Sequence, residues 1–123
     1  MKRIFFIVFI GVCSLATEAQ NRVEYSKKEH DFGTIEELGG DVVCEFIVKN
    51  ISPSPIVISK VHNSCSCVTT NYSRKPIYSQ ETDTLRVKFD PRFRSGSLHK
   101  NITMYISGDS IPTVLTIKGI VVK

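Results

Sequence analysis

The chain alternates hydrophobic and polar residues with a period of two, most clearly between residues 82 and 90. There Leu85, Val87 and Phe89 are separated by polar residues, so every second side chain can point to one face. This period is typical of a β-strand with one buried and one solvated face. Pro91 follows and lacks a backbone N–H, so we expect the strand to end there.

A second alternating stretch extends from residue 42 to Asn50. Its inward set is Cys44, Phe46 and Val48, which alternate with Glu45, Ile47 and Lys49. The pattern predicts a half-buried strand in which the Cys44 side chain points inward. Residues 38–41 precede it and include two adjacent glycines, which tolerate positive φ and predict a turn.

Shorter apolar stretches predict five further strands. They lie at residues 30–35, 56–61, 68–72, 102–106 and 115–121. The first is expected at a sheet edge. Val61 is out of phase with the apolar residues before it, which predicts a bulge or a twist just before His62. Gly119 is a candidate bulge in the last strand.

About seven short strands without helical periodicity predict an all-β fold, an immunoglobulin-like antiparallel β-sandwich. A small barrel is the alternative. The chain has no Trp, and its last two strands have no cysteine for the inter-sheet disulfide of antibody domains. The residues expected in the core are Phe32, Phe46, Val48, Ile58, Leu85, Val87, Phe89, Ile102 and Leu115.

Composition and charge are those of one ordinary globular domain. The 123 residues are 41% hydrophobic and 23% charged, and the net charge of +4 is scattered along the chain. The nearest approach to a basic patch is Arg92-Phe93-Arg94, which we interpret as a solvated turn. Proteins that bind single strands use several stacking aromatics along a groove, so we expect no nucleic-acid partner.

Residues 1–19 differ from the rest of the chain and predict a signal peptide. Lys2 and Arg3 form a basic start, and Thr17-Glu18-Ala19 offers small residues at cleavage spacing. The apolar run over residues 4–15 contains twelve residues. A permanent membrane helix needs about 20 residues, so we expect no stable membrane span.

Cleavage at that site would make Gln20 the first mature residue. We then expect a polar lead-in over residues 20–29 and the sandwich over residues 30–123, in an extracytoplasmic location: the periplasm, the cell envelope or the medium. Cys13 raises the alternative of a lipid anchor. Val12 argues against it, because lipoprotein signals have Gly or Ala just before the cysteine.

Two of the three cysteines outside the signal peptide lie together in His62-Asn63-Ser64-Cys65-Ser66-Cys67. Residues two apart on an extended strand have Cα atoms about 6.5 to 7 Å apart, at the far limit for a disulfide. A bond between Cys65 and Cys67 therefore requires a tight turn at Ser66. We expect these two cysteines to be in the same state, either bonded to each other in a disulfide or bound together to one ligand. Cys44 should stay buried and unmodified, as a small hydrophobe.

Three interpretations of the cysteine segment stay open. In the first it is a structural loop with a packed or disulfide-bonded pair. In the second His62, Cys65 and Cys67 bind one soft metal ion such as Cu(I), which thiolates suit. In the third the pair handles thiol redox chemistry, although the spacing is Cys-x-Cys and no helix is predicted to lower a thiol pKa. Structural zinc sites use four ligands and wider spacing, which disfavours zinc. The structural loop is preferred, and no metal is expected.

Catalytic motifs are missing from the sequence. His30, His62 and His99 lie on separate turn or strand-end segments, without a nucleophile elbow, P-loop or glycine-rich phosphate cradle. We therefore expect no enzyme and no cofactor.

Five short stretches together resemble a known family. They are Asp31-Phe32-Gly33, Phe46 to Asn50, Ser64-Cys65-Ser66-Cys67, Phe89-Asp90-Pro91 and Ile117-Lys118-Gly119-Ile120-Val121. From Val23 to Lys123 the chain resembles the secreted bacterial domain-of-unknown-function family 1573, whose members are similar to Hydin-type immunoglobulin-like domains. The resemblance implies an envelope protein of a Gram-negative bacterium without an assigned activity. The residues that we interpret as structural are Phe32, Gly33, Cys44, Phe46, Asn50, Phe89, Pro91 and Gly119.

The chain departs from the family pattern at two places. The family has Gly between the two cysteines and Thr after them, where this chain has Ser66 and Val68. The family also places Pro-Gly before the strand at residues 82–90, where this chain has Ser79-Gln80. We expect the fold to be shared, and we do not infer the backbone conformation of the cysteine segment from the family.

Two function classes remain, a binding or assembly module of the cell envelope and a domain that handles a soft metal or thiols through Cys65 and Cys67. The binding module leads, because an exposed sheet edge of a sandwich can accept a strand from a partner. We therefore expect a non-catalytic envelope protein whose unknown protein partner binds by sheet-edge pairing.

Overall fold

The computed structural model describes residues 22–123, which form eight β-strands in two sheets. The strands are β1 (Val23–Tyr25), β2 (Glu29–Glu36), β3 (Val42–Asn50), β4 (Ile58–Asn63), β5 (Val68–Asn71), β6 (Thr82–Phe89), β7 (Gly96–Ile106) and β8 (Thr113–Val122). The strand order is β1-β3-β6-β5 in one sheet and β2-β8-β7-β4 in the other. The predicted all-β sandwich is confirmed. The predicted signal peptide and Cys13 lie outside the described residues.

The N-terminal strands differ from the prediction. Val23 pairs with Asn50, so β1 extends the first sheet at its edge, and part of the expected lead-in belongs to the fold. The chain then crosses to the second sheet, where β2 runs parallel to β8. The expectation of purely antiparallel sheets is therefore wrong for this one pair. Within residues 22–123, no helix is long and apolar enough to cross a membrane.

The core lies between the two sheets and follows the alternation in the sequence. Eight of the nine predicted core residues are fully buried, and Cys44 is buried as predicted. Phe32 is the exception, since it is only half-buried and packs against the rim of the core. Its strand, β2, lies at a sheet edge, and the ring of Phe32 meets the ring of His30 with centroids 4.6 Å apart.

A bulge lies in β2 opposite Gly119. Between Asp31 and Thr34 the register shifts, so that Phe32 and Gly33 together face the single residue Gly119. The φ of Gly33 is 72°, and a Cβ added to Gly119 would lie 2.9 Å from the Gly33 carbonyl oxygen. The bulge that we predicted in the last strand, β8, is therefore in the neighbouring strand, β2. Position 119 requires Gly because the bulged backbone of β2 leaves no space there for a Cβ.

The second predicted irregularity is confirmed. The pairing of β4 with β7 shifts between Ile58 and Lys60, ahead of His62. The out-of-phase Val61 is half-buried as a result, and Ile56 is held outside the strand by a single bridge to Ile77.

The turn before β6 places Gln80 where the family has Gly. Glu81 N–H donates to the Tyr78 carbonyl at 2.9 Å, and the φ of Gln80 is 70°. A turn with positive φ at its third position favours Gly there and Pro before it, which is the family's Pro-Gly pair. The chain keeps this backbone shape with a residue that fits it less well.

We predict that Gln80→Gly stabilises the protein by about 0.5 to 1 kcal/mol. The left-handed conformation costs a non-glycine residue about 1 to 2 kcal/mol, and the extra freedom of Gly in the unfolded chain offsets part of the gain. Urea unfolding measures the difference. The matched control is Ser79→Gly, where φ is not positive and Gly should destabilise. Equal effects of the two substitutions would contradict this explanation.

Candidate functional site

Three loops meet at one end of the sandwich. β2, β4, β6 and β8 end there, and β3, β5 and β7 begin there, as the pairing directions require. The loops comprise residues 37–41, 64–67 and 90–95, and we call them together the loop end. The candidate cysteine segment is one of the three.

The cysteine loop connects the edge strands of the two sheets, β4 and β5. Cys65 and Cys67 form a disulfide with Cα atoms 5.1 Å apart, and Val68 N–H donates to the Cys65 carbonyl at 3.1 Å to close the turn. The prediction that the two cysteines share one fate is confirmed. Ser66 does not have positive φ, so this turn does not need the family's Gly.

The disulfide loop is packed into the fold. Cys67 is buried, and its carbonyl accepts a hydrogen bond from Asp90 N–H at 2.9 Å, just beyond the end of β6. Cys65 is half-buried against the core, and its N–H donates to Asn63 Oδ1 at 3.1 Å. These contacts fasten the crossover between the sheets to the first residue of the neighbouring loop.

His62 is exposed on β4, two residues before the loop. In the part of the chain from residue 22 to the C-terminus, no three His, Cys, Asp or Glu side chains converge as metal ligands. His62, Cys65 and Cys67 are therefore not brought together as the Cu(I) alternative requires. With both sulfurs in a disulfide, neither is a thiolate, which is the form that binds soft metals.

Cys44 is too far from the loop to exchange bonds with it. It pairs with Val87 of β6, which pairs in turn with Thr70 of β5. Two strand spacings separate Cys44 from β5, roughly 9 to 10 Å, whereas a disulfide needs Cα atoms within about 7 Å. Burial raises the pKa of the Cys44 thiol to about 11. Cys44 is thus an inert part of the core.

We predict that Cys44 does not react with thiol reagents in the native protein at pH 8. Its thiol is buried and protonated at that pH, and the other two sulfurs are bonded to each other. Unfolding without a reductant should expose Cys44 as the one reactive thiol among residues 22–123. Peptide mapping after blocking checks this. A Cys44–Cys65 or Cys44–Cys67 cross-link would overturn it.

Two large apolar side chains stand out from the loop end. The exposed fraction is 89% for Leu38 and 92% for Phe93. Phe93 has a φ of 67°, a conformation that is rare for a bulky residue. Its N–H donates to Glu37 Oε2 at 2.9 Å, which ties the loop of Phe93 to the loop of Leu38.

An ion pair supports the Phe93 loop from within. The Asp90 carboxylate accepts bonds from the Arg92 backbone N–H at 3.0 Å and from the Arg92 guanidinium at 2.7 Å. These hydrogen bonds lower the pKa of Asp90 to about 2. A lowered pKa means that the pair stabilises the loop at neutral pH and is lost only as pH falls below about 4 towards 2.

The sequence did not identify Phe93 and Leu38 as site residues. The sequence predicts a solvated turn for Arg92-Phe93-Arg94, which is correct for its backbone and its two arginines. A large apolar residue between two charges, two positions after the proline that ends a strand, is the available signal. Periodicity carries no information there, because it assigns side chains to faces only within regular strands.

Comparison with known proteins identifies one family and several structures that share the fold. The sequence profile of a family described as "Protein of unknown function (DUF1573)" matches residues 23–121. No curated protein matches the sequence. A protein of unknown function from Porphyromonas gingivalis W83 is similar in structure, with a TM-score of 0.69, 17% identity, and coverage of 83% of this chain and 50% of that one.

Two further structures share the fold. The ASH / PapD-like domain 7 of human CEP192 has a TM-score of 0.66 at 12% identity, covering 98% of this chain and 99% of that domain. The VesB protease of Vibrio cholerae has a TM-score of 0.66 at 13% identity, covering 81% of this chain and 32% of the protease. This chain thus spans half of the P. gingivalis protein and about a third of VesB. At such identities the likeness shows the fold alone.

Proposed function

We propose that this chain, which belongs to the DUF1573 family, is a non-catalytic extracytoplasmic module that binds a partner protein through its loop end. The family description assigns no activity, and the shared fold is an immunoglobulin-like sandwich. The proposal therefore rests on the chemistry of the loops.

The conformation and exposure of Phe93 carry the proposal. An aromatic ring that is 92% exposed gains nothing from burial, and its positive φ costs about 1 to 3 kcal/mol. Folding alone would favour Gly or a polar residue at this position. Aromatic and Arg side chains are enriched where protein interfaces gain most of their binding energy, and Phe93 lies between Arg92 and Arg94.

The disulfide has a supporting role in this proposal. The Cys65–Cys67 turn is bonded through the Cys67 carbonyl to Asp90, and Asp90 begins the loop that presents Phe93. A loop that is already ordered loses less conformational entropy when it binds. The cysteine pair then serves binding by fixing the shape of the loop end, without chemistry of its own.

The extracytoplasmic location is supported by two features. Residues 1–19 have the basic start, the short apolar run and the small residues at cleavage spacing that are typical of a signal peptide. Residues 65 and 67 form a disulfide, and disulfides persist mainly in oxidising compartments. Intact-mass analysis of protein from the native host should show a chain that begins at Gln20. A mass that retains residues 1–19, or a diacylglyceryl group on Cys13, would contradict this location and cleavage site.

Affinity capture from envelope extract of the native host tests the binding proposal. The double variant Leu38→Ser/Phe93→Ser should lose a protein that the wild type retains, by at least about tenfold, which corresponds to the loss of one strong anchor. The matched control is Ile111→Ser, since Ile111 is 79% exposed at the opposite end. Retention by the double variant, or loss with the control, would argue against the loop end.

A further inference from the structure

We propose that the free edge of β5 pairs with β5 of a second copy of this chain, so that two four-stranded sheets become one continuous sheet of eight strands. β5 lies at the edge of the sheet β1-β3-β6-β5. Its sequence is Val68-Thr69-Thr70-Asn71, which is neutral and rich in β-branched residues. The proposal follows from the backbone groups of this strand, its lack of charge and its register.

The phase of the β5–β6 ladder determines which backbone groups are free. Asp90 N–H donates to the Cys67 carbonyl, and Val68 and Thr70 lie opposite Phe89 and Val87. In an antiparallel pair the bonded and non-bonded positions alternate, so the backbone groups of Val68 and Thr70 point away from β6. Val68 N–H donates to the Cys65 carbonyl.

Three groups therefore face the open edge: the Val68 carbonyl and both the N–H and the carbonyl of Thr70. Within residues 22–123 no other backbone or side-chain group is bonded to them. Unpaired groups in a row along an edge strand are a template for a further strand.

The other three edges are protected against such pairing. β1 has only three residues. β2 is bulged at Gly33, whose N–H is taken by the Asp31 carboxylate at 2.8 Å, and it carries several acidic residues. β4 has the register shift before Lys60, which adds a charge. Charges and bulges are the features by which edge strands resist pairing, and β5 has neither.

We place the two-fold axis at Thr70, because it is the residue of β5 whose N–H and carbonyl both face the open edge without a partner. With Thr70 opposite Thr70 of the second copy, the two residues exchange a pair of N–H···O=C bonds across a two-fold axis. Thr69 then lies opposite the second copy's Asn71, and Val68 opposite its Tyr72. None of these side chains except Tyr72 is ionisable, so no like charges meet.

The register allows a charge-swap test on the whole mature chain by analytical ultracentrifugation. Thr69→Glu/Asn71→Glu places carboxylates opposite each other twice in the dimer. Within one chain the same two positions lie beside Lys88 and Arg86, so the added carboxylates should not destabilise the folded monomer. We expect a dimer in the wild type, and a rise of at least about tenfold in its dissociation constant in this variant.

Thr69→Glu/Asn71→Lys is the matched rescue, because each carboxylate now faces an ammonium group of the second copy. It should restore the wild-type dissociation constant to within about threefold. The new ammonium group also lies beside Arg86 of its own chain, so urea unfolding is measured alongside to show that the variant folds.

Thr70→Pro, which removes the N–H at the open edge but no bond to β6, should also give monomers. A wild type that stays monomeric up to millimolar concentration, a dimer unaffected by Thr69→Glu/Asn71→Glu, or a charge swap without rescue would overturn the proposal. Leu38→Ser/Phe93→Ser should leave the dimer intact, which separates this test from that of the proposed function.

Discussion

Phe89→Ala should lower the free energy of unfolding by about 3 to 5 kcal/mol. Phe89 is fully buried in β6, between Val42 of β3 and Val68 of β5. Val42 and Val68 both lie directly opposite Phe89 in backbone ladders. The strands therefore cannot move together to fill the cavity that removal of the ring leaves. The loss is a large share of the total stability that a domain of this size has.

Phe93→Ala is the matched control for that measurement. The chemical change is the same and the residue is four positions away, but the ring of Phe93 is almost fully exposed. Urea unfolding should show a change of less than about 0.5 kcal/mol for this variant, the usual effect of a surface substitution. Similar losses of unfolding free energy for Phe89→Ala and Phe93→Ala would contradict the assignment of Phe89 to the core and of Phe93 to the exposed loop end.

Asn50→Ala should lower the free energy of unfolding by at least about 3 kcal/mol, because several buried groups lose their partners at once. The Asn50 amide nitrogen donates to the carbonyls of Ser54 and Ile77, each at 2.8 Å. Its oxygen accepts from the Ser52 N–H at 2.8 Å and the Ser52 hydroxyl at 2.7 Å. The side chain is fully buried, so water replaces few of these bonds.

Two other variants test the same network. Ser52→Ala removes one hydroxyl and should cost only about 1 kcal/mol. Asn50→Asp keeps the acceptor for Ser52 but loses the two donated bonds, so it should resemble Asn50→Ala more than wild type. If Asn50→Ala cost no more than Ser52→Ala, the segment from residue 52 to Ile77 would have to be held by other contacts.

The sequence predicted the strands well where one face is buried and the other is solvated. β3 and β6 pair with each other along all but the last residue of each predicted strand, and their inward residues are buried. The parallel placement of β2 beside β8 was not predictable, because alternation is the same for parallel and antiparallel neighbours at a sheet edge. The half-buried state of Phe32 follows from that placement and from the bulge beside it.

The candidate site was predictable in part. The spacing of Cys65 and Cys67 predicts that the two cysteines are either bonded to each other or bound together. The tight turn at Ser66, which the spacing does not predict, brings them close enough for the disulfide. The partnership between Glu37 and Phe93 joins residues 56 positions apart. No local pattern encodes such a contact, since it arises only when the two loops meet at the same end of the sandwich.

Site-specific photo-crosslinking in the native host tests the central claim, that the loop end binds a partner protein, most directly. A benzophenone-bearing phenylalanine analogue would replace Phe93, and in a parallel strain Ile111, which is similarly exposed at the other end. The proposed function predicts a discrete adduct of higher mass from position 93 and none from position 111. No adduct from position 93, or the same adduct from both positions, would contradict it.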